Sequence, residues 1–297
     1  MPRSRRLLPS SFRRIPPERR TLAARAAFWE QARTMTPYVA MERGDDVFLL
    51  PTLIDPRLFV NASRSDFTVL ERAAAVLRDA GRLTGQETLI DIGAHIGTTT
   101  ISALTGGSFL RAVSIEPDPD HLPLLRANVA LNQLDERVTV IAAGVSDTQQ
   151  QQHRFAQGSR KEDSYRWMKG RLVDETSAAS VTVATVTLDG LAEEGVIDPA
   201  TTGLLWFDCG RCEEQALQSA AVFLEHRVPL VFTLRQRQFT EPGNPLLARL
   251  RETYEHAVDL RSPSLADPVS EWAPTLRPID DLATLPEGKK ITDVLVF

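Results

Sequence analysis

The amino-acid sequence predicts an α/β fold in which helices cover both faces of a mostly parallel β-sheet. Between Thr88 and Ser146, apolar segments typical of strands alternate with segments typical of helices, in the order TLIDIG, GTTTISALTG, RAVSIEP, DPDHLPLLRANVALNQL and RVTVIAAGVS. Such alternation is typical of strand–helix–strand units, whose strands run parallel. The later segments LLWFD and VPLVFTL are apolar throughout, as strands buried on both faces are. The last segment, KKITDVLVF, predicts a further strand that runs antiparallel at an edge of the sheet.

Composition excludes several classes of function. The chain has 297 residues, a net charge of -5 and a pI near 5.6, whereas a general nucleic-acid binder would show a basic domain. No apolar run approaches the roughly 20 residues that a membrane-spanning helix needs. The chain has 2 cysteines, which cannot form a disulfide framework, and their spacing is too short for an ordinary structural bridge. We therefore expect a protein of the reducing cytoplasm.

Three regions follow one another along the chain. Residues 1–36 combine an arginine-rich segment with a short helix, and we interpret that segment as a disordered basic tail, with a transit peptide as the alternative. Residues 37–84 are expected to form a hairpin or edge strands and then a helix, DFTVLERAAAVLRDAG. The α/β domain is expected over residues 85–297. Within it, the polar residues 147–180 are expected to form a partly ordered lid or substrate loop, with an unstructured insertion as the alternative.

The strongest functional signal is the segment LIDIGAHIGTTT, in which a strand ends near Asp91 and a tight turn leads into a helix. Gly93 and Gly97 bracket the turn, with Ala94 and His95 between them. Glycine lets the backbone approach a ligand closely, and the N-terminus of the following helix presents free N–H groups. The spacing G-x-x-x-G differs from the G-x-G-x-x-G of dinucleotide binders. The carboxylate of Asp91 would repel a pyrophosphate and attract an ammonium, which favours a zwitterionic ligand such as the methionine part of S-adenosylmethionine.

Two later strand ends also carry polar side chains. Glu116 ends the strand after the turn, at a position where an acid can accept both hydroxyls of a ribose. An exposed carboxylate at a strand end is the alternative interpretation. Ser146 and Asp147 follow the third strand and would lie over the adenine of the same ligand, although a Ser-Asp pair also begins turns.

Five segments, in this order along the chain, resemble the FkbM-type methyltransferases: TLIDIGAHIGTTT, SIEPDPDHLPLLRANVALN, VTVIAAGVSD, VTLDGL and LLWFDCGRCEEQAL. The resemblance covers about residues 47–297. It implies a Rossmann-like class I methyltransferase fold, with a seven-stranded sheet, and S-adenosylmethionine as the cofactor. It implies that Asp91, Gly93, Gly97 and Glu116 bind this cofactor. The implied acceptor is a small molecule, methylated on a hydroxyl oxygen of a sugar or secondary metabolite.

The resemblance also locates the acceptor site. It places Asp208 at the carboxyl end of the fourth strand and Glu213 about one helical turn further on. Asp208 is the predicted base or acceptor-orienting group, and His153 in the long segment is a second candidate. Asp208 and Glu213 could instead hold a divalent cation, or be an N-cap and a first-turn acid without a catalytic role. The sequence departs from the family in having Arg211 where members have glycine, and Thr233 where members tend to have glutamate.

The acceptor segment contains both cysteines of the chain, Cys209 and Cys212. A C-x-x-C pair at a helix start can be a redox dithiol. A metal site needs about four ligands, and no second pair exists. The position of the pair, after a complete cofactor-binding half, favours two substitutions within the turn. Two alternatives to a methyltransferase follow, namely a non-catalytic cofactor-binding or scaffold protein of the same fold, and a thiol oxidoreductase that uses the two cysteines.

Overall fold

The computed structural model of the protein describes residues 17–52, 59, 66–156, 171–172, 180–209, 213–235, 245–265, 269–285 and 291–297. The helices are α1 (Pro17–Met35), α2 (Asp66–Asp79), α3 (Thr98–Thr105), α4 (Leu122–Leu131), α5 (Leu188–Glu193), α6 (Glu213–Gln218), α7 (Ala221–Glu225) and α8 (Pro245–Thr253), with a 3₁₀ helix at Ile279–Thr284. The strands are β1 (Tyr38–Arg43), β2 (Asp46–Pro51), β3 (Thr88–Ile92), β4 (Arg111–Ile115), β5 (Val138–Ile141), β6 (Gly144–Val145), β7 (Gln150–Ala156), β8 (Arg171–Leu172), β9 (Ser180–Val186), β10 (Thr202–Phe207), β11 (Leu230–Arg235), β12 (His256–Asp259), β13 (Leu276–Pro278) and β14 (Ile291–Val296).

Eight of the described strands form one sheet, in the order β13-β12-β14-β11-β10-β3-β4-β5. The strands from β11 to β5 are parallel, which confirms the predicted α/β fold. The sheet has eight strands rather than seven, because the short β13 pairs with β12 at one edge. The last strand, β14, is antiparallel as predicted, but the prediction of an edge position is wrong. It pairs with β11 on one side and β12 on the other, so that its apolar segment VLV is buried inside the sheet.

The two sides of this sheet face separate hydrophobic clusters. Side chains of the first face pack against α1, the β1–β2 hairpin, α2, α3 and α4, and those of the second face pack against α5 to α8 and the 3₁₀ helix. In β10, Leu204 and Trp206 belong to the first face, and Leu205 and Phe207 belong to the second. Strand side chains alternate between faces, so burial on both sides explains why the segment LLWF has no polar residue.

The N-terminal part of the described chain packs on the first face. Trp29 of α1 is buried in the first cluster, and the centroid of its ring lies 5.2 Å from that of Phe59. None of the helices in the described ranges is both long and apolar enough to cross a membrane. The predicted basic tail lies largely in residues 1–16, outside the described residues.

Two asparagine side chains of the α4 region attach the hairpin to the domain. The amide of Asn132 accepts the N–H of Val47 at 2.9 Å and donates to the carbonyl oxygen of Val47 at 2.7 Å. The amide of Asn128 pairs in the same way with Leu49 and also donates to the carbonyl oxygen of Ile96 at 2.9 Å. Four residues advance about 6 Å along a helix and two residues about 6.6 Å along a strand, so that both amides meet the backbone of β2.

Replacing Asn128 with alanine should lower the free energy of unfolding by about 2–3 kcal/mol, because buried backbone groups of Leu49 and Ile96 would lose their partners. The matched variant Asn132→Ala, at a half-buried position, should lower it by about 1 kcal/mol. Urea unfolding followed by circular dichroism measures both values. An effect of Asn128→Ala no larger than that of Asn132→Ala would contradict this account of the hairpin.

A second sheet contains four of the described strands, in the order β6-β9-β7-β8. The prediction of a lid or loop over residues 147–180 is therefore wrong for residues 150–156, which form β7 and pair antiparallel with β9. The polar segment QQQHRFA forms a strand because the β-branched segment SVTVATV supplies its partner. Residues 157–170 and 173–179 lie outside the described residues.

Candidate active site

The strand order creates a switch point between β3 and β10. After β3 the chain adds β4 and β5 on one side, and it later adds β10 and β11 on the other side. In open sheets of this kind, ligands bind outside the carboxyl ends of the strands at the switch point. Gly93 follows β3 and Asp208 follows β10, so both residues lie at this point. The N–H of Asp208 donates to the carbonyl oxygen of Ile92 at 2.9 Å, which continues the ladder between the two strands.

The two glycines of the turn are required by its shape. Gly93 has φ +85°, and a Cβ atom at this position would lie 2.5 Å from the backbone oxygen of Asp208. Gly97 has φ +89° and caps the N-terminus of α3. A Cβ atom there would lie 2.8 Å from Cδ1 of Leu125. The turn is therefore packed closely against the acceptor segment on one side and against α4 on the other.

Asp91 lies beneath the turn rather than on its surface. Its side chain is 1% exposed, and its Oδ2 accepts the hydroxyl of Thr100 at 2.6 Å. The hydroxyl oxygens of Thr100 and Ser114 are 2.7 Å apart. These contacts join β3, α3 and β4 behind the glycine turn. Asp91 thus has a structural contact in addition to its predicted role in binding the cofactor.

Glu116 connects the turn after β3 to the turn after β4. Its carboxylate is 5% exposed; Oε2 accepts the N–H of His95 at 2.7 Å, and Oε1 accepts the N–H of Asp118 at 2.9 Å. His95 has a positive φ of 55°, uncommon for a residue other than glycine. The neighbouring Ala94 donates its N–H to the carbonyl oxygen of Ile115 at 3.1 Å. Because a carboxylate offers about four acceptor positions, Glu116 can hold this backbone and still accept hydroxyl groups.

A histidine that the motifs did not indicate lies against this carboxylate. The Nδ1 atom of His121 is 3.5 Å from Oε1 of Glu116 and 3.7 Å from Oδ2 of Asp118. Its ring meets that of His95 edge-on, with centroids 4.3 Å apart. His121 is 4% exposed at the start of α4. In the sequence, the segment DPDH already shows a histidine close to two aspartates. Only the fold shows that this histidine contacts Glu116.

Replacing His121 with asparagine should weaken binding of S-adenosylmethionine about tenfold, because Glu116 would lose a buried polar neighbour that fixes its carboxylate. The loss should disappear in a Glu116→Gln background, since His121 acts through Glu116. Calorimetric titration of the single and double variants measures this coupling. The exposed His226, whose Nδ1 contacts Val222 O of its own helix, provides the matched control His226→Asn. An equal loss with and without the Glu116 carboxylate would contradict the predicted role.

Two further residues predicted to bind the cofactor follow a strand of a different sheet from the one that carries the glycine turn. Ser146 and Asp147 follow β6, which belongs to the second sheet. The hydroxyl of the buried Ser146 donates to Oδ1 of the exposed Asp147 at 3.1 Å.

His153 lies on β7 opposite Val183, so the prediction of a loop position is wrong for this residue. The structure places it on the second sheet.

The acceptor half brings Asp208, Glu213 and Arg235 to the ends of β10 and β11. Asp208 is half-buried. Glu213 begins α6 and is 3% exposed, with its Oε1 atom 3.1 Å from Nη1 of Arg235. The Oε2 atom of Glu213 is buried without a hydrogen-bond partner among the described residues. The motifs did not indicate Arg235. An arginine at the end of an apolar strand does suggest that an acidic side chain lies nearby.

Cys209 is in a disulfide. Its neighbour in the C-x-x-C pair, Cys212, lies outside the described residues, so the expectation that the two are too close for an ordinary structural bridge stays a prediction. Residues 210–212 lie outside the described residues, and so does the predicted departure at Arg211.

Within the described ranges, no group of three or more His, Cys, Asp or Glu side chains is arranged to hold a metal ion. Among the described residues, therefore, Asp208 and Glu213 do not belong to a larger group of such side chains that could hold a cation. Glu213 is paired with Arg235 instead.

A family model of the methyltransferase FkbM domain matches residues 91–259, more than half of the chain. The chain therefore belongs to the FkbM methyltransferase family, as its motifs predicted. The matched region includes the glycine turn, Glu116 and the acceptor segment, and it ends before β13 and β14.

Several solved structures resemble the fold at low identity. Methyltransferase FkbM from Methylobacillus flagellatus KT matches with 14% identity and a TM-score of 0.46, over 93% of this chain and 60% of that chain. TYW2 of M. jannaschii in complex with AdoMet matches with 12% identity and a TM-score of 0.40, over 88% of this chain and 84% of that one. The M. jannaschii tRNA m1G37 methyltransferase matches with 10% identity and a TM-score of 0.42, over 88% and 56%. No curated protein matched the sequence.

Proposed function

We propose that the protein transfers a methyl group from S-adenosylmethionine to a hydroxyl oxygen of a small polar acceptor, a sugar or a secondary metabolite. The observation that carries this proposal is the contact between Gly93 and the backbone of Asp208 at the switch point. This contact brings the turn that would bind the cofactor next to the backbone of Asp208, whose carboxylate would serve the acceptor. Membership in the methyltransferase family supports the type of reaction.

The described residues fit the cofactor. The turn from Gly93 to Gly97 offers backbone that a ligand can approach, followed by the N-terminus of α3. Glu116 is held between the two turns, where its remaining acceptor positions suit the hydroxyls of a ribose. The buried charge of Asp91 favours an ammonium group near the turn. When bound, the cofactor supplies a methyl group on a positively charged sulfur, which is a good leaving group.

The acceptor side has the simpler task of alignment and proton removal. Asp208 follows the strand next to the glycine turn, and its carboxylate can accept the proton of a hydroxyl group or orient that group. Glu213 is held by Arg235 with one oxygen directed into buried space, so we assign it a supporting role beside Asp208. His153 is not assigned a role, because it lies on the second sheet.

Calorimetric titration with S-adenosylmethionine and S-adenosylhomocysteine tests the cofactor site first. The variant Asp91→Asn removes the charge but keeps an oxygen for Thr100, and Asp79→Asn, at an exposed position of α2, is the matched control. We expect micromolar binding that Asp91→Asn weakens about tenfold and Asp79→Asn leaves unchanged. The absence of binding by the folded protein would overturn the proposal. If binding is found, tritiated methyl transfer to a panel of sugars and hydroxylated aromatic compounds tests the acceptor class.

The disulfide at Cys209 gives the thiol oxidoreductase a specific observation in its favour. The reduced and oxidised protein should be compared in an insulin reduction assay beside the Cys209→Ser variant. Turnover that depends on Cys209 would favour the oxidoreductase. Cofactor binding without methyl transfer to any acceptor would favour the non-catalytic alternative.

A further inference from the structure

Four residues of adjacent strands lie at one level across the carboxyl edge of the main sheet. Ile92 pairs with Phe207 and Phe207 with Phe232, so the next residues along each strand, Gly93, Asp208 and Thr233, are level with one another. Thr233 pairs directly with Asp293 of the antiparallel β14. We call Asp208, Thr233 and Asp293 the carboxylate row.

The side chains of the carboxylate row share the first face of the sheet. Trp206 and Val231 belong to the first cluster, and residues two further along each strand, Asp208 and Thr233, face the same way. Leu295 also belongs to that cluster, which places Asp293 on the same face. Neighbouring strands are about 4.8 Å apart, so the Cα atoms of the two aspartates are separated by about 10 Å, with the threonine between them.

Asp293 is fixed in this position by two donors. The hydroxyl of Thr233 donates to its Oδ1 at 3.0 Å, and Nε of Arg261 donates to its Oδ2. The residue is 9% exposed, while the side chain of Arg261 is 34% exposed. Asp293 is also the one acid in the final strand, ITDVLV, and lies beyond the region that the family model matches.

We propose that Asp293 is a second acceptor-binding carboxylate, which together with Asp208 binds two hydroxyl groups of one polyhydroxylated ring lying across the carboxylate row. The inference rests on the proposed function and names the acceptor class more narrowly, as a carbohydrate ring. Carboxylates accept hydroxyl hydrogens, and the span between the two aspartates is one that a sugar ring with its hydroxyls can bridge. The row begins beside Gly93, so a ring bound there lies next to the cofactor turn.

The charges of the row fit a neutral polar ligand. Asp293 of the row is paired with Arg261, and Glu213 beside the row is paired with Arg235. Such a site does not select an anion, and the paired arginines weaken its attraction for a cation.

The surroundings of Asp293 make its contribution to stability depend on pH. Burial raises the pKa of its carboxyl, Arg261 opposes this, and the nearby Asp208 carboxylate adds to the rise. A pKa raised in the folded state favours folding only while the group is protonated, and that contribution is lost as the pH rises through the folded pKa. The contribution of Asp293 to the free energy of unfolding should therefore fall as the pH rises through its raised pKa, and this pH dependence should be absent in Asp293→Asn.

The matched control is Asp259→Asn. Asp259 also pairs with a threonine, since the hydroxyl of Thr292 donates to its Oδ1. Its register partner is Val294 of the second cluster, so this pair lies on the second face, opposite the carboxylate row.

The test uses the full-length protein saturated with S-adenosylhomocysteine and the methyl α-glycosides of glucose, galactose, mannose and rhamnose as probes, with cyclohexanol as the monohydroxylated comparison. Ligand-observed saturation-transfer NMR measures binding. We expect at least one glycoside to bind more tightly than cyclohexanol, with affinity lowered about tenfold in Asp293→Asn and in Asp208→Asn but not in Asp259→Asn. All three variants should bind S-adenosylhomocysteine as the parent protein does.

The outcomes separate the two proposals. Failure to bind S-adenosylhomocysteine overturns the proposed function itself. Cofactor binding with no glycoside bound, or with glycoside binding unchanged in Asp293→Asn, overturns the present inference and leaves the cofactor site in place. An equal loss in Asp259→Asn would show that Asp293 acts through the fold and would also overturn it.

Discussion

Replacing Gly93 with alanine should abolish measurable binding of S-adenosylmethionine and lower the free energy of unfolding by about 3 kcal/mol. The new Cβ atom would lie 2.5 Å from the backbone oxygen of Asp208, 2.8 Å from its carbonyl carbon and 3.0 Å from Cα of Cys209. All three atoms are backbone, so no side-chain rotation relieves the contact. The left-handed φ of +85° adds strain for any residue with a Cβ atom.

The clash acts on function because it lies at the switch point. Relief requires the carboxyl ends of β3 and β10 to separate, which displaces the turn from Asp208. We therefore expect cofactor affinity to fall about a hundredfold or more, while the secondary structure measured by circular dichroism persists.

Gly44 provides the matched control for this prediction. It also has a left-handed conformation, with φ +59°, but nothing lies within 4 Å of a Cβ atom built on it. Gly44→Ala should lower the free energy of unfolding by about 1 kcal/mol from backbone strain alone and leave cofactor affinity unchanged. Urea unfolding and calorimetric titration compare the two variants. Equal effects of both substitutions would show that the contact between Gly93 and Asp208 has no particular role.

The local strands and helices of this fold could be predicted from the sequence, but the pairing between distant strands could not. The strand–helix alternation of β3 to β5 could be predicted because β3 and β4 are largely buried and mostly apolar. The strand β7 could not, since its polar segment is extended only through pairing with β9, about 30 residues later in the chain. The interior position of β14 was missed for the same reason, because its two neighbours are decided by tertiary structure.

The residues of the candidate site also differ in whether local sequence or tertiary structure determines their role. Gly93 and Gly97 were predictable because a turn with positive φ selects glycine locally. His121 and Asp293 were not, since each matters only through a neighbour that the fold supplies. Asp293 is 85 residues beyond Asp208 in the sequence, and only the registers of β10, β11 and β14 bring the two to one level. The sequence does mark it indirectly, because an acid within a buried apolar strand requires a partner.

Replacing Asp208 with asparagine should leave affinity for S-adenosylmethionine within about twofold of the parent value but lower methyl transfer about a hundredfold to ten-thousandfold. Asparagine keeps the shape and one acceptor oxygen, and the backbone N–H of residue 208 still donates to Ile92. What is lost is the negative charge that takes or orients the hydroxyl proton.

The kinetic pattern distinguishes this role from that of Asp293. With the best acceptor from the panel, Asp208→Asn should lower kcat because the proton has no acceptor, whereas Asp293→Asn should chiefly raise KM for that acceptor. Glu214→Gln, in the first turn of α6, removes a neighbouring carboxylate and should change neither constant. Unchanged turnover in Asp208→Asn would remove Asp208 from the mechanism. The base would then have to be sought elsewhere in the carboxylate row, where Asp293, with a pKa raised by burial, holds a proton more tightly than an ordinary aspartate.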